Sequence, residues 1–188
     1  MDKIQTEMLE EHLPYRLTHL DGLCWACEVL LSSERPSDVS ITFDGFTKLK
    51  QTSVSFLTNS LAETGLLYCR VIFSFLGICL DKKTQQLAQI KKPGSDDNFS
   101  IVKLELPILT LDDLRLAPTG SPGEVEESCR LTLLATNKGV AHFTDSKTTP
   151  SQSEDALRCA RTVIWLTEEY VYKRIGLAIP FYKFWTYA

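Results

Sequence analysis

The chain is poor in the residues and motifs that most enzymes rely on. Only three histidines, His12, His19 and His142, occur in 188 residues, and none sits in an H-E-x-x-H pair. There is no G-x-x-x-x-G-K-[ST], no G-x-G-x-x-G and no G-x-S-x-G. These absences exclude the zinc-helix peptidases, the P-loop nucleotidases, the glycine-fingerprint dinucleotide enzymes and the nucleophile-elbow hydrolases. Positive charge is also short, with 20 Lys+Arg against 24 Asp+Glu and a net charge of −4. No global basic field would draw the molecule to nucleic acid or to an anionic membrane. Long apolar runs are missing as well. The greasiest stretch, Val71 to Leu80, is about half the length a bilayer requires.

The opening Met1-Asp2-Lys3-Ile4-Gln5-Thr6-Glu7 lacks the basic start and apolar core of an export signal, so a cytoplasmic location is expected. Under that expectation the six cysteines read as small buried hydrophobes rather than as three disulfides. Cys24-Trp25-Ala26-Cys27 has the spacing used for zinc or redox chemistry. A structural zinc needs a second ligand pair, and a thioredoxin-type site needs a strand leading into it. Neither is present in the pattern, so core packing is the expected role. No metal and no cofactor is expected.

Composition is that of an ordinary globular protein, with 44% hydrophobic and 23% charged residues, and the length suits a single domain spanning 1–188. Four segments carry helical periodicity. Leu20, Leu23, Cys24, Cys27, Leu30 and Leu31 recur at three- and four-residue steps, predicting a helix over about 14–33, with a shorter helix before Pro14 and a bend between them. The segment 53–80 is the longest and most apolar, implying a central helix buried on more than one side. Ser121-Pro122-Gly123-Glu124 is a capping box opening a third helix, which the pattern carries toward Thr144. Ser151-Gln152-Ser153-Glu154 opens a fourth, stopped by Gly176 and Pro180. Between the second and third helices, 81–120 is a long polar crossover. Its alternating Ile101–Leu106 reads as a strand, Val39–Phe43 does so more weakly, and a small hairpin is expected beside the bundle. The fold class is therefore mainly α, a four-to-five-helix bundle with one long crossover.

Candidate functional residues fall into three groups. Asn59, Glu63 and Arg70 mark a polar stripe on the second helix, read either as a solvated face or as an internal small-molecule site. Arg158, Arg161, Trp165 and Glu168 lie close along the fourth helix. Arg161 and Trp165, four residues apart, could stack as cation and ring or hold a base and a phosphate. Lys82, Lys83, Lys91 and Lys92 add positive charge in the crossover. The tail, 177–188, packs five aromatics into Phe181 to Tyr187, so it either folds back across the bundle or docks on a second copy, making a homodimer the expected assembly.

The third group surrounds His142. The stretch Asn137 to His142 resembles the Asn-x-x-x-Ala-His portion of the motif in HEPN-like helical bundles. Tyr68 to Gly77 is similar to the long apolar helix with an embedded Arg in bacterial branches of that superfamily, and Asp112-Asp113-Leu114-Arg115 is similar to its crossover. The likeness runs from about 15 to 180. It implies a helical bundle, RNA or protein partners, paired protomers and a bacterial defence or toxin–antitoxin setting. Where such proteins cleave RNA, the His moves a proton at the ribose 2′-hydroxyl and an Arg stabilises charge on the phosphate. Here Thr136 stands where the motif Arg would be expected. Arg130 is twelve residues before His142, about 18 Å along a helix, and cannot substitute. The cation would have to come from another helix, as Arg70, Arg158 or Arg161. The expectation is a non-catalytic binding or interaction module. The alternatives are a metal-independent ribonuclease using His142 with Asn137 and Arg70, and a small-molecule-binding bundle.

Overall fold

The computed structural model describes residues 1–33, 39–43, 46–51, 53–91, 99–137 and 150–183, and within 39–51 and at 150–151 only the backbone. The chain is a mainly α-helical bundle, as the periodicity predicts. Its long helices are α2 (Leu13–Leu31), α3 (Ser55–Leu76), α5 (Pro122–Ala135) and α6 (Pro150–Thr167). Short helices precede or follow them: α1 (Lys3–Glu7), α4 (Leu111–Arg115) and α7 (Lys173–Ile175). The core is one continuous cluster in which α2 packs on both α3 and α6, and α5 lies against α6. Leu17, Leu20 and Leu23 of α2, Ile72 and Phe73 of α3, and Val163 and Leu166 of α6 have no measurable exposure.

Four local findings explain where these helices begin, bend and stop. Pro14 does not break the first segment. Instead α1 runs through a π-helical turn, Met8–His12, directly into α2, with Pro14 in the first turn where its missing N–H costs little. A second π turn, Glu168–Tyr172, joins α6 to α7. Helix α3 ends at Leu76, short of the expected 80, because Gly77 takes a left-handed φ of 96° as its cap. A Cβ there would lie 2.7 Å from that of Ile108. At α5 the predicted capping box is formed, with Ser121 donating to Glu124 from both its backbone N–H (2.9 Å) and its hydroxyl (2.6 Å).

The strand content differs from expectation inside the crossover. Ile101–Leu104 is a 3₁₀ turn, not a strand, and Glu105 follows it with a φ of 61°. Ser100 caps this turn, and buried Ile101 and Leu104 are three residues apart, which the 3₁₀ repeat places on one face. The apolar–polar alternation that suggests a strand is equally served by that arrangement. The hairpin of the crossover lies upstream, where β3 (Ile78–Leu80) pairs antiparallel with β4 (Leu87–Gln89). Its turn is organised by Asp81, whose carboxylate accepts from the backbone of Lys83 and Thr84, holding it below the usual carboxylate range. Val39–Phe43 is a strand as read (β1), paired antiparallel with β2 (Phe46–Gln51) through a bulge between Ile41 and Thr42. The continuation of α5 toward Thr144 lies beyond the described residues.

Two further features close the bundle. The tail folds back as far as it is described. Tyr182 is 6% exposed and its hydroxyl donates to Glu168, while Lys183 reaches Asp21 of α2 at 3.1 Å. The cysteines are free, and all but Cys79 are buried. Burial pushes the thiols of Cys24 and Cys27 up to about 12, so both stay protonated and act as core atoms. Among the described residues no helix is long and apolar enough to cross a membrane.

Candidate functional site

The sequence-predicted residues do not meet at one place. His142 lies outside the described residues, as do Lys92 and the tail beyond Lys183. Asn137 is exposed just past α5. Its neighbour Thr136 is fully buried, and its hydroxyl donates to the Thr132 carbonyl at 2.8 Å. The position where the family motif would carry its cation therefore points into packed core, where an arginine has no room or solvation.

The residues of α6 divide between opposite neighbours. Arg158 turns toward α5, donating to buried Ser128 at 2.9 Å and lying 3.9 Å from both Asp155 and Glu124. Ser128 in turn donates to Asp155 at 2.7 Å, so this is a clamp between two helices. Arg161 instead pairs with Glu28 of α2 at 2.7 Å. Trp165 meets Tyr170 edge-on at 5.9 Å and makes no cation contact with Arg161. These side chains hold the bundle together rather than forming one surface.

The stripe on α3 corrects another expectation. Asn59, Glu63 and Arg70 are all exposed, so Glu63 and Arg70 enclose no internal cavity. A helix buried on two sides still has a third, and this stripe occupies it. Arg70 nevertheless lines something else. A groove of about 370 Å³ runs beside α3, walled by Leu13, Ile72, Phe75 and Phe99, with Arg16 of α2 and Arg70 among its lining residues. Three of these walls are nearly inaccessible (Leu13 1%, Ile72 0%, Phe75 6%), whereas Arg70 is exposed and Arg16 half-buried. The surface the groove offers therefore comes from exposed Leu67, Val71, Ser74 and Arg70, with half-buried Arg16 beside them.

Arg16 is held in place by two contacts. One guanidinium nitrogen donates to the His12 carbonyl at 2.7 Å, and the group lies 5.6 Å from the centre of the Tyr68 ring. Among the described residues neither Arg16 nor Arg70 has a carboxylate within salt-bridge distance. Behind Arg16 stands an aromatic cluster. His19 is 4.7 Å from Tyr15 and 5.1 Å from Tyr68, centre to centre, and the two tyrosines meet edge-on at 5.9 Å. Burial lowers the His19 pKa and leaves Nδ1 without a hydrogen-bond partner. Tyr68 is raised by burial and then by its hydroxyl bond with Tyr15. Lys103 lies 5.7 Å over the ring of Phe99, which stacks on Phe75 at 6.3 Å.

The periodicity reading passed over Tyr15, Arg16, Lys103 and Phe99. Tyr15, Arg16 and His19 share one sector of α2, a usable signal, but the matching ring comes from Tyr68, 49 or more positions away in sequence. Among the described residues no group of three or more His, Cys, Asp or Glu side chains is arranged to hold a metal ion. Comparison with known proteins returns no matching family model, no matching curated protein and no matching solved structure.

Proposed function

We propose that the chain is a non-catalytic binding module of HEPN-like type, and that the groove between α2 and α3 is where it takes an anionic ligand. The observation that carries this reading is the presence of Arg16 and Arg70 on one groove with, among the described residues, no carboxylate within salt-bridge distance of either guanidinium. In a chain of net charge −4, most cations could find an acid, and several do: Arg115, Arg130, Arg158 and Arg161 are all paired. Arg16 and Arg70 are exceptions that line the same groove, and unpaired charge beside apolar surface gives a ligand site orientation as well as affinity. The buried Thr136 supports the non-catalytic half, because it leaves the motif without its cation. RNA is the macromolecular partner that the resemblance implies, and its phosphates would meet the same two arginines.

The experiment has two arms. Thermal stability measured against a panel of anions should rise for the wild type and not for the Arg16→Ala/Arg70→Ala double variant. An RNA cleavage assay without divalent metal should give no product. Cleavage abolished by His142→Ala would overturn the non-catalytic reading, and stabilisation equal in the double variant would overturn the groove.

A further inference from the structure

We propose that the anion Arg70 receives is a carboxylate of a second copy of this chain, in a two-fold, antiparallel pairing of α3 that sets Glu63 of each copy against Arg70 of the other. The inference rests on the anion-binding reading above and names the partner of that site. Phe56, Ser60, Glu63, Leu67, Arg70 and Ser74 follow one another at steps of four, three, four, three and four. That repeat lines the seam between paired helices. Within this chain the seam is unused, since all six residues are exposed. With Val71 beside them, the face holds three large apolar side chains in water, at 55% (Phe56), 42% (Leu67) and 44% (Val71) exposure.

The charges on this face select what covers it. Glu63 and Arg70 are the only charged residues of α3. Seven positions place them about 10.5 Å apart along the axis, too far to pair within one helix, yet only about 20° apart around it. Neither has an opposite charge three or four residues away. Among the described residues neither has an ion-pair partner within salt-bridge distance. A dyad midway between them, at the level of Leu66 and Leu67, runs a second α3 antiparallel to the first. It brings Glu63 of each copy level with Arg70 of the other, on the same flank, so two ion pairs form at once. Leu67 then meets its own copy at the axis, and Asn59 lies level with Ser74. A parallel pair would instead oppose Glu63 to Glu63. One helix face is a small interface, so the association belongs to the weak, transient class.

Sedimentation velocity of the intact chain over a concentration series tests this. Wild type should pass from monomer to dimer, and less readily in about 0.5 M salt, where exposed charges are screened. Glu63→Arg and Arg70→Glu each oppose like charges across the dyad and should weaken the dimer roughly tenfold or more. The double variant Glu63→Arg/Arg70→Glu exchanges both partners and should restore association to within about threefold of wild type. Damage to the fold by either single change could not produce that rescue. Leu67→Glu sets two carboxylates at the dyad and should abolish the dimer with an unchanged circular dichroism spectrum. Phe181→Ala, on the tail, should leave it intact. A chain monomeric at every concentration, a dimer lost on Phe181→Ala, or charge reversals that the exchange fails to rescue overturns the inference. Inorganic phosphate or a short RNA that stabilises such a monomer through Arg16 and Arg70 overturns the second copy and leaves the anion site standing. Stabilisation independent of both arginines, in a monomer, overturns the two readings together.

Discussion

The hydroxyl of Tyr172 donates to the carbonyl of Leu9 at 2.8 Å, and each residue lies in a π-helical turn. A π turn widens the helix by one residue and disturbs the regular i to i−4 ladder, so a carbonyl there is open to a partner from elsewhere. Leu9 and Tyr172 are 1% and 2% exposed, so water is a poor substitute for that bond. The first π turn also carries Met8 into the groove wall, just ahead of Leu13 and Arg16. The bond thus fixes the geometry of the candidate site from the opposite end of the chain. Tyr172→Phe keeps the ring and strands the carbonyl, and should cost about 1–2 kcal/mol. For a chain of this length that lowers Tm by a few degrees, read by calorimetry.

Gly65 of α3 packs directly against Leu23 of α2. A Cβ on residue 65 would lie 2.4 Å from the Cβ of Leu23 and 3.0 Å from the His19 carbonyl. Both obstacles are anchored to a buried helix, so they cannot swing aside. Glycine-to-alanine in a helix ordinarily stabilises by up to about 1 kcal/mol. Here overpacking, at roughly 1–3 kcal/mol, should reverse the sign. Denaturant unfolding of Gly65→Ala is expected to show net destabilisation, and a Gly65→Ala/Leu23→Gly pair should be strongly non-additive because Leu23→Gly removes the Cβ that residue 65 would meet. Additive losses would mean that the helices do not touch there.

His19 makes stability depend on pH in a defined direction. Its folded pKa is depressed below the ordinary 6.5 by burial, with Nδ1 unpartnered among the rings of Tyr15 and Tyr68. The unfolded chain therefore binds the proton more readily. Its contribution is complete above about pH 6.5 and is lost as pH falls from there through the folded value. His19→Phe removes the titrating group and its orphaned nitrogen while keeping a flat ring. Relative to wild type it should show a shallower decline in stability across that window, with little change at pH 8. Chemical denaturation at a series of pH values reads the difference directly. The depressed carboxyls of Asp81, Asp113 and Glu124 act lower down, where stability falls as pH drops below about 4.

How far the molecule is legible in its sequence depends on whether the signal is local. The helices are, because period and caps are written within a few residues: Ser121 and Glu124 form the box that their spacing announces. The Ile101–Leu106 segment fails because two buried residues three apart suit a 3₁₀ turn as well as a pleat, and only the Ser100 cap and the packing decide. The groove is less legible still. Arg16 and Arg70 are separated by 54 positions, and what distinguishes them from Arg161 is that no carboxylate among the described residues lies within salt-bridge distance, a property of tertiary placement. Conversely, Arg158 and Arg161 are neighbours on one helix face, yet their long side chains diverge to partners on different helices, Ser128 of α5 and Glu28 of α2, which spacing alone does not reveal.

The tail offers a contrast between two adjacent rings. Phe181 is 78% exposed, whereas Tyr182 is 6% exposed with its hydroxyl on Glu168, and burial with that bond holds the Tyr182 phenol well above its ordinary value. Successive side chains of an extended segment point to opposite sides, so only one of the two can be used by the bundle. Tyr182→Ala should therefore cost about 3 kcal/mol, as for other buried aromatics, and loosen the strap that Lys183 ties to Asp21. Phe181→Ala should leave dilute-solution stability within about 0.5 kcal/mol. Light scattering over a concentration series separates the roles. Self-association that Phe181→Ala abolishes assigns the outer ring to assembly, and a mass that does not change with concentration in either protein confines the tail to intramolecular packing.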